Sequence, residues 1–383
     1  MSSNQIIAQS CDRVLDWVLE EDFCGWDLFD GLNSQLFQLT PLARSRYCRL
    51  AWIQFFKKSP LNFRVPTLVP KEYNPKGLGL FASGLLRLGR SSDAENLLIN
   101  LLTQKSSGFL GMSWGYNFDW QARAFFVPKG KPNMVTTVFV AHAFLDYFQK
   151  TGDDKWLAPA RGACSFILEH LTLEPDFCFG YIPDETTRVH NANMLGCALL
   201  GRVFSITGES VLLEASYKAI EYSVKSQKDD YSWPYGERNH HQFIDNFHTG
   251  FNLVALKEWM DYVKSKEWTN QLNNGYLYYL NTFWLDNGCP KYYNNSMYPI
   301  DIHCSAQGVV TCCKLASLDL QRMDMAHKIA HWAIENMQDK EGFFYYQKTR
   351  WYTNKIPYIR WSQAWMLYAL SHLIEAETSD SKI

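Results

Sequence analysis

The stretch WPYGERN (233–239), followed by FHTGFNLVALKEWM (247–260), decides the fold because it recurs. The same succession, an aromatic–polar lead-in and then a helix of small and apolar residues, begins at WGYNFDW (114–120), FGYIPDE (179–185), PKYYNNS (290–296) and FFYYQKT (343–349). The helices start near Asn133, His190, Asp245, Asp301 and Arg360, at separations of 57, 55, 56 and 59 residues. A sixth such helix lies in YNPKGLGLFASGLLRLG (73–89), behind a different lead-in. A near-constant period of this length marks stacked supersecondary units. It accommodates two helices of about 15 residues and two loops.

Amphipathic segments fill the intervals, among them DAENLLINLLTQ (93–104), SVLLEASYKAIEYSVKSQ (210–227) and MDMAHKIAHWAIENMQ (323–338). Their apolar residues recur at i, i+3, i+4 and i+7 with charge opposite, as in helices that face water on one side. The recurrent helices carry little charge in their first turns and read as buried. Six such pairs predict an all-α (α/α)6 toroid, six inner and six outer helices with long loops at one rim. Residues 41–58 are expected as the outer partner of the first inner helix. The whole chain, 1–383, is expected as one domain, with 1–40 an N-terminal extension or helix packed on it.

The composition, 47% hydrophobic and 20% charged, suits a large globular protein. A net charge of −2 gives no global field for nucleic acid. The ten Cys are scattered without a CxxC pair, and read as reduced thiols of a cytoplasmic protein. The first residues lack a basic, apolar leader pattern, and no apolar run approaches the roughly 20 residues of a membrane helix. Residues 43–66 hold six basic residues and no acidic one, interleaved with Trp52, Phe55, Phe56 and Phe63. That pattern fits an outer helix with a basic face, or a weak peripheral contact with an anionic membrane or a lipid-linked substrate.

Because each inner helix is followed by an outer return helix, all inner N-termini and all lead-ins collect at one rim. Six positive helix ends there favour anionic ligand groups. The residues entering the helices include His190, Asn191, Asn193, Asp245, His248, Asp301, His303, Gln307 and Arg360. Asp and Asn at such places are also ordinary N-caps, whereas His caps poorly. His248 and His303 are therefore the expected base and acid, with His190, Tyr116, Asp119, Asp245 and Asp301 as further catalytic candidates. The lead-ins add Trp114, Trp120, Arg123, Trp233, Glu237, Arg238 and Arg350, aromatic platforms beside charges that suit a charged sugar. Asp301, His303 and Cys304 do not share a helix face, so no metal site is assigned, and nothing in the chain points to a cofactor.

The repeat, the length and the chemistry of the rim residues resemble the (α/α)6-barrel enzymes of carbohydrate metabolism. These include N-acylglucosamine 2-epimerases, unsaturated glucuronyl hydrolases, glucuronyl C5-epimerases and polysaccharide lyases. The stretches NFRVPTLVPKEYNPKGLGLFASGLLRLG (62–89) and WGYNFDWQARAFFVPKGKPN (114–133) are similar to bacterial surface-polysaccharide proteins of the VpsJ-like kind, which implies a role in exopolysaccharide or lipopolysaccharide synthesis. The resemblance implies epimerisation, elimination or hydrolysis of an acidic or N-acylated sugar by acid/base proton transfer. The Gly-His-x-x-Glu pattern of the 2-epimerases is absent. FHTGFNLVAL (247–256) is similar to a helix of protein prenyltransferases, whose Asp-x-Cys partner motif is missing. Two alternatives follow: a non-catalytic carbohydrate-binding or scaffold subunit, and an isoprenoid-active toroid.

Overall fold

The computed structural model describes residues 2–122, 126–318 and 323–380. Six inner helices pack side by side and close on themselves: α4 (Pro75–Arg87), α6 (Met134–Thr151), α8 (His190–Thr207), α10 (Asn246–Val263), α12 (Ile302–Lys314) and α14 (Trp365–Asp380). Outside them lie α5 (Ser91–Thr103), α7 (Leu157–His170), α9 (Ser210–Lys225), α11 (Thr269–Phe283) and α13 (Met323–Met337), each against the inner helix that precedes it. The sixth outer helix is α1 (Ser3–Glu20), which packs on α14 and α13 and closes the ring. The chain is therefore the all-α (α/α)6 toroid that the repeat predicts.

Local chemistry sets where the inner helices begin. The side chains of Asn74, Asn133, Asp245 and Asp301 each accept a backbone N–H of the first turn of the helix they precede, which satisfies otherwise orphaned donors. Three of the six inner helices end on a left-handed residue, Gly152, Gly208 or Lys264, so the chain reverses at the same end each time. The last inner helix is preceded by a π-helical stretch, Ile359–Ala364.

Residues 3–20 form a helix packed on the barrel, in the place of the sixth outer helix. The N-terminal region departs from expectation in one respect. Residues 41–58 are not the outer partner of α4. Instead α2 (Gln35–Gln38) and α3 (Arg46–Lys58) lie in an excursion across the rim, pinched at its base where Gly25 and Glu72 exchange two backbone hydrogen bonds of 3.2 Å. This cap is tied together by Trp52 Nε1 to the Gly31 carbonyl (2.9 Å) and by Arg64 to Asp30 (2.7 Å), and Arg64 reaches the ring at Tyr358 (3.2 Å). Its base needs glycine: a Cβ on Gly25 would lie 2.6 Å from Ile359 Cβ.

At the opposite end, the C-terminal turns of the inner helices carry Arg87, Asp146, Arg202, Glu258, Lys314 and Glu375, one per helix and alternating in sign. Arg87 meets Asp146 at 3.7 Å and Glu375 at 3.1 Å; Asp146 meets Arg202 at 2.7 Å; Lys314 pairs with Glu258. The barrel floor is thus a charge-balanced ring. Above it a small cavity of ≈ 50 Å³, bordered by Phe139, Phe251, Gln307 and Trp365, has room for water but not for a sugar. None of the described helices is long and apolar enough to cross a membrane.

Candidate active site

The rim end holds a tight cluster. Asp245 caps α10 and turns its second carboxylate oxygen to His248, whose Nδ1 donates to Asp245 Oδ2 at 2.7 Å. Asp245 is 3% exposed, while the His248 side chain keeps 21% of its surface in solvent. A buried carboxylate on Nδ1 fixes the tautomer and leaves Nε2 free to exchange a proton. Phe247 touches both candidate histidines, 4.2 Å from the His248 ring and 4.8 Å from the His303 ring.

His303 is buried among Phe247, Trp361 and Trp365, and no side chain hydrogen-bonds either of its ring nitrogens. Burial pushes its pKa well down, and the positive charges of Lys76 and Arg360 add to that, so it is neutral near pH 7. Ring nitrogens without a side-chain partner in a dry site leave hydrogen-bonding capacity for a ligand. Arg360 lies over the Tyr116 ring at 5.1 Å and is held by Asp27 of the cap. Tyr116 in turn meets Tyr181, hydroxyl to hydroxyl, at 3.2 Å.

Asp301 belongs to the same layer, but its carboxylate is fully engaged. It accepts from the His303 backbone N–H (3.0 Å), Trp361 Nε1 (2.9 Å) and Gln347 Nε2 (3.1 Å). Burial raises its pKa to about 6. Gln307 sits deeper, its Nε2 on Thr311 and its Oε1 unmet. Trp120 is half-buried beneath the cap, near Phe29 and Tyr181. Among the described residues no three His, Cys, Asp or Glu side chains converge as a metal site would require.

Other expected residues lie elsewhere. His190 points to the outer wall, its Nδ1 3.1 Å from Ser223 Oγ on α9, and burial lowers its pKa to about 4. Asn193 clamps the Phe179 backbone and the Ala219 carbonyl. Asn191 is buried at the start of α8 with its side-chain oxygen unmet. Trp114 and Trp233 are core residues, each donating its indole N–H to a carbonyl at the end of an outer helix, Leu101 or Ser223. They are walls between helix layers, not platforms. Asp119 accepts the Lys129 backbone N–H on the rim. Arg238 pairs with Glu185 at 2.9 Å, and Glu237 is exposed beside Arg188. Arg350 is exposed over Trp351, and Arg123 falls outside the described residues.

Lys76 escaped the sequence reading. It opens the second position of α4, is 3% exposed, and sits over the rings of Phe139 (4.4 Å), Trp365 (5.0 Å) and Phe251 (5.5 Å). Burial lowers its pKa well below that of a free lysine, with Arg360 adding to the effect. The available signal was a lysine inside an otherwise apolar inner helix, within KGLG (76–79).

The fold is shared with solved structures. The Lin0763 protein from Listeria innocua superposes with a TM-score of 0.65 at 12% identity, over 100% of this chain and 99% of its own. An unsaturated glucuronyl hydrolase specific for heparin matches with a TM-score of 0.62 at 12% identity, over 82% of this chain and 89% of that one. Cellobiose 2-epimerase from Bacillus thermoamylovorans B4167 matches with a TM-score of 0.60 at 11% identity, over 78% and 86%. The likeness is one of fold. These structural neighbours include (α/α)6 toroid carbohydrate-active enzymes, in line with the resemblance in the sequence. No family model matches the chain, and no curated protein matches it in sequence.

Proposed function

We propose that this protein is a sugar-active enzyme that moves a proton on the carbon beside a carbonyl or carboxylate of an acidic or N-acylated sugar. The observation that carries the reading is the Asp245–His248 pair at the partly open edge of an otherwise buried cluster. His248 Nε2 is the proton-transfer atom, and Asp245 holds the ring and stabilises the imidazolium that forms. His303, neutral, supplies a hydrogen bond to the substrate. Arg360 is the cation beside which negative charge would develop, and the Lys76 amine lies in the same buried cluster.

Glycoside hydrolysis by a carboxylate pair is the weaker reading. Asp245 is committed to His248, Asp301 to three donors and Glu185 to Arg238. Entry runs past His248, since Asp245, Asp301, His303 and Arg360 are each no more than 3% exposed.

The test is hydrogen exchange. Uronic acids and N-acylhexosamines are incubated with the protein in D2O, and the α-proton signal is followed by NMR. Deuterium incorporation that disappears in His248→Ala supports the reading. Sugar binding without exchange, unchanged in His248→Ala, would assign a binding subunit instead.

A further inference from the structure

The cap has two faces of different chemistry. Its inner face carries Asp27 and Phe29 into the rim. Its outer face is apolar and cationic. Between Asp30 and Glu72 the chain has seven Lys and Arg and no Asp or Glu; of these Arg44, Arg46 and Lys58 are exposed on the outer face, whereas Arg64 is buried on Asp30, Lys57 lies over Phe29 and Lys71 pairs with Glu21. Over the same 41 residues it exposes eight of the nineteen large hydrophobic side chains that are exposed among the described residues. Leu39 is 84% exposed and Tyr47 79%. A monomer's surface does not collect so many by chance in one segment.

The pieces are joined. The Gln35 N–H donates to the Leu68 carbonyl, which brings the two ends of the segment together. Phe55 packs on Phe63 at 5.0 Å. From the neighbouring turn, Tyr352 donates to the Lys58 carbonyl and Asn354 to that of Ser59. This adds Trp351, 83% exposed, to the same end of the cap. Among the described residues Arg44, Arg46, Lys58 and Arg350 are exposed and form no ion pair. The acidic residues bordering the segment are spoken for: Asp27 and Asp30 are buried in ion pairs, Glu21 holds Lys71 and Glu72 holds Lys129.

We propose that the outer face of the cap docks on an anionic lipid bilayer. Exposed Leu, Tyr and Trp side chains enter the headgroup boundary, and the unpaired cations meet lipid phosphates. The charge decides the occupant: a purely apolar partner would gain nothing from cations without a single acid among them. Docking there turns the rim toward the bilayer, where a lipid-linked sugar would be met. That consequence rests on the sugar reading; the docking itself does not.

Vesicle co-sedimentation tests it. In 0.1 M salt the protein should sediment with vesicles of equal phosphatidylglycerol and phosphatidylcholine, and stay in solution with pure phosphatidylcholine. Arg44→Ala/Arg46→Ala should lower the partition coefficient about 25-fold, at roughly fivefold per cation. Leu39→Ser/Tyr47→Ser/Trp351→Ser should abolish binding; if that variant fails to fold, the arginine pair decides alone. No sedimentation of the wild type with anionic vesicles, or equal sedimentation of the folded variants, overturns the proposal. So does a concentration-dependent dimer that the apolar triple abolishes, since that assigns the face to a second copy. An unchanged α-proton exchange rate in the arginine variant without vesicles keeps this outcome separate from that of the sugar reading.

Discussion

Asp27 and Arg360 grip each other through two bonds, 2.6 and 2.7 Å, with neither side chain more than 3% exposed. The pair joins the cap to the entry of the last inner helix, and Arg360 faces the candidate site from it. Removing one partner would leave a buried charge uncompensated. Asp27→Ala should therefore cost about 3–5 kcal/mol in urea unfolding. Asp27→Leu/Arg360→Met should recover most of that loss but not activity. A single variant as stable as the wild type would mean that the cap is not held by this pair.

Turnover should depend on the dyad. His248→Ala is expected to lower kcat by about 10²–10⁴-fold, the range of one general acid–base group, with an unchanged Tm. Asp245→Asn keeps a competent helix cap but loses the carboxylate that orients the ring, so activity should fall while the fold remains. His303→Ala should also lose turnover with its helical signal retained. Full activity in both histidine variants would remove the proton-transfer assignment.

The pH dependence of stability should carry the mark of Asp301. Its folded-state pKa, about 6, lies above the ordinary 3.8 because burial disfavours the charged form. Its contribution is full below pH 4 and is lost as the pH rises through 6. Asp301→Asn cannot ionise, so it should gain on the wild type by roughly 1.4 kcal/mol per pH unit across that window. Chemical denaturation at several pH values checks this; a constant difference would contradict it.

On the barrel floor, Asp146 holds both Arg87 and Arg202. Asp146→Ala should cost about 3–5 kcal/mol. Glu375, with 52% of its side chain exposed, closes the same ring, yet Glu375→Gln should cost no more than about 1 kcal/mol.

Trp114 and Trp233 should behave as core residues. Each alanine variant should lose about 3–5 kcal/mol of stability, with sugar affinity per folded molecule unchanged. A selective loss of affinity would return them to the site.

The period of about 56 residues settled the ring, because a repeat of helix pairs has few ways to bury its apolar faces. It also determined the common rim, since every lead-in precedes an inner helix. Facing within the first turn was not legible in the same way. His190 and Asn246 are both the first residue of their helices, and both turn outward, His190 to Ser223 and Asn246 to Tyr279. His248 stands two residues later, a rotation of about 200°, and faces inward. A difference of one or two positions, smaller than the uncertainty of a helix start, therefore decides whether a histidine is scaffold or site. The alternating charges of the floor kept the repeat's spacing but changed identity at each step, which hid them from a search for similar segments. The course of residues 24–72 depended on contacts far away in the chain, above all Asp27 with Arg360 and Arg64 with Tyr358. An amphipathic helix at 46–58 fits an outer wall and a cap equally well by pattern alone. Tertiary structure chose the cap, because α1 had already taken the sixth outer position and buried its apolar stripe there.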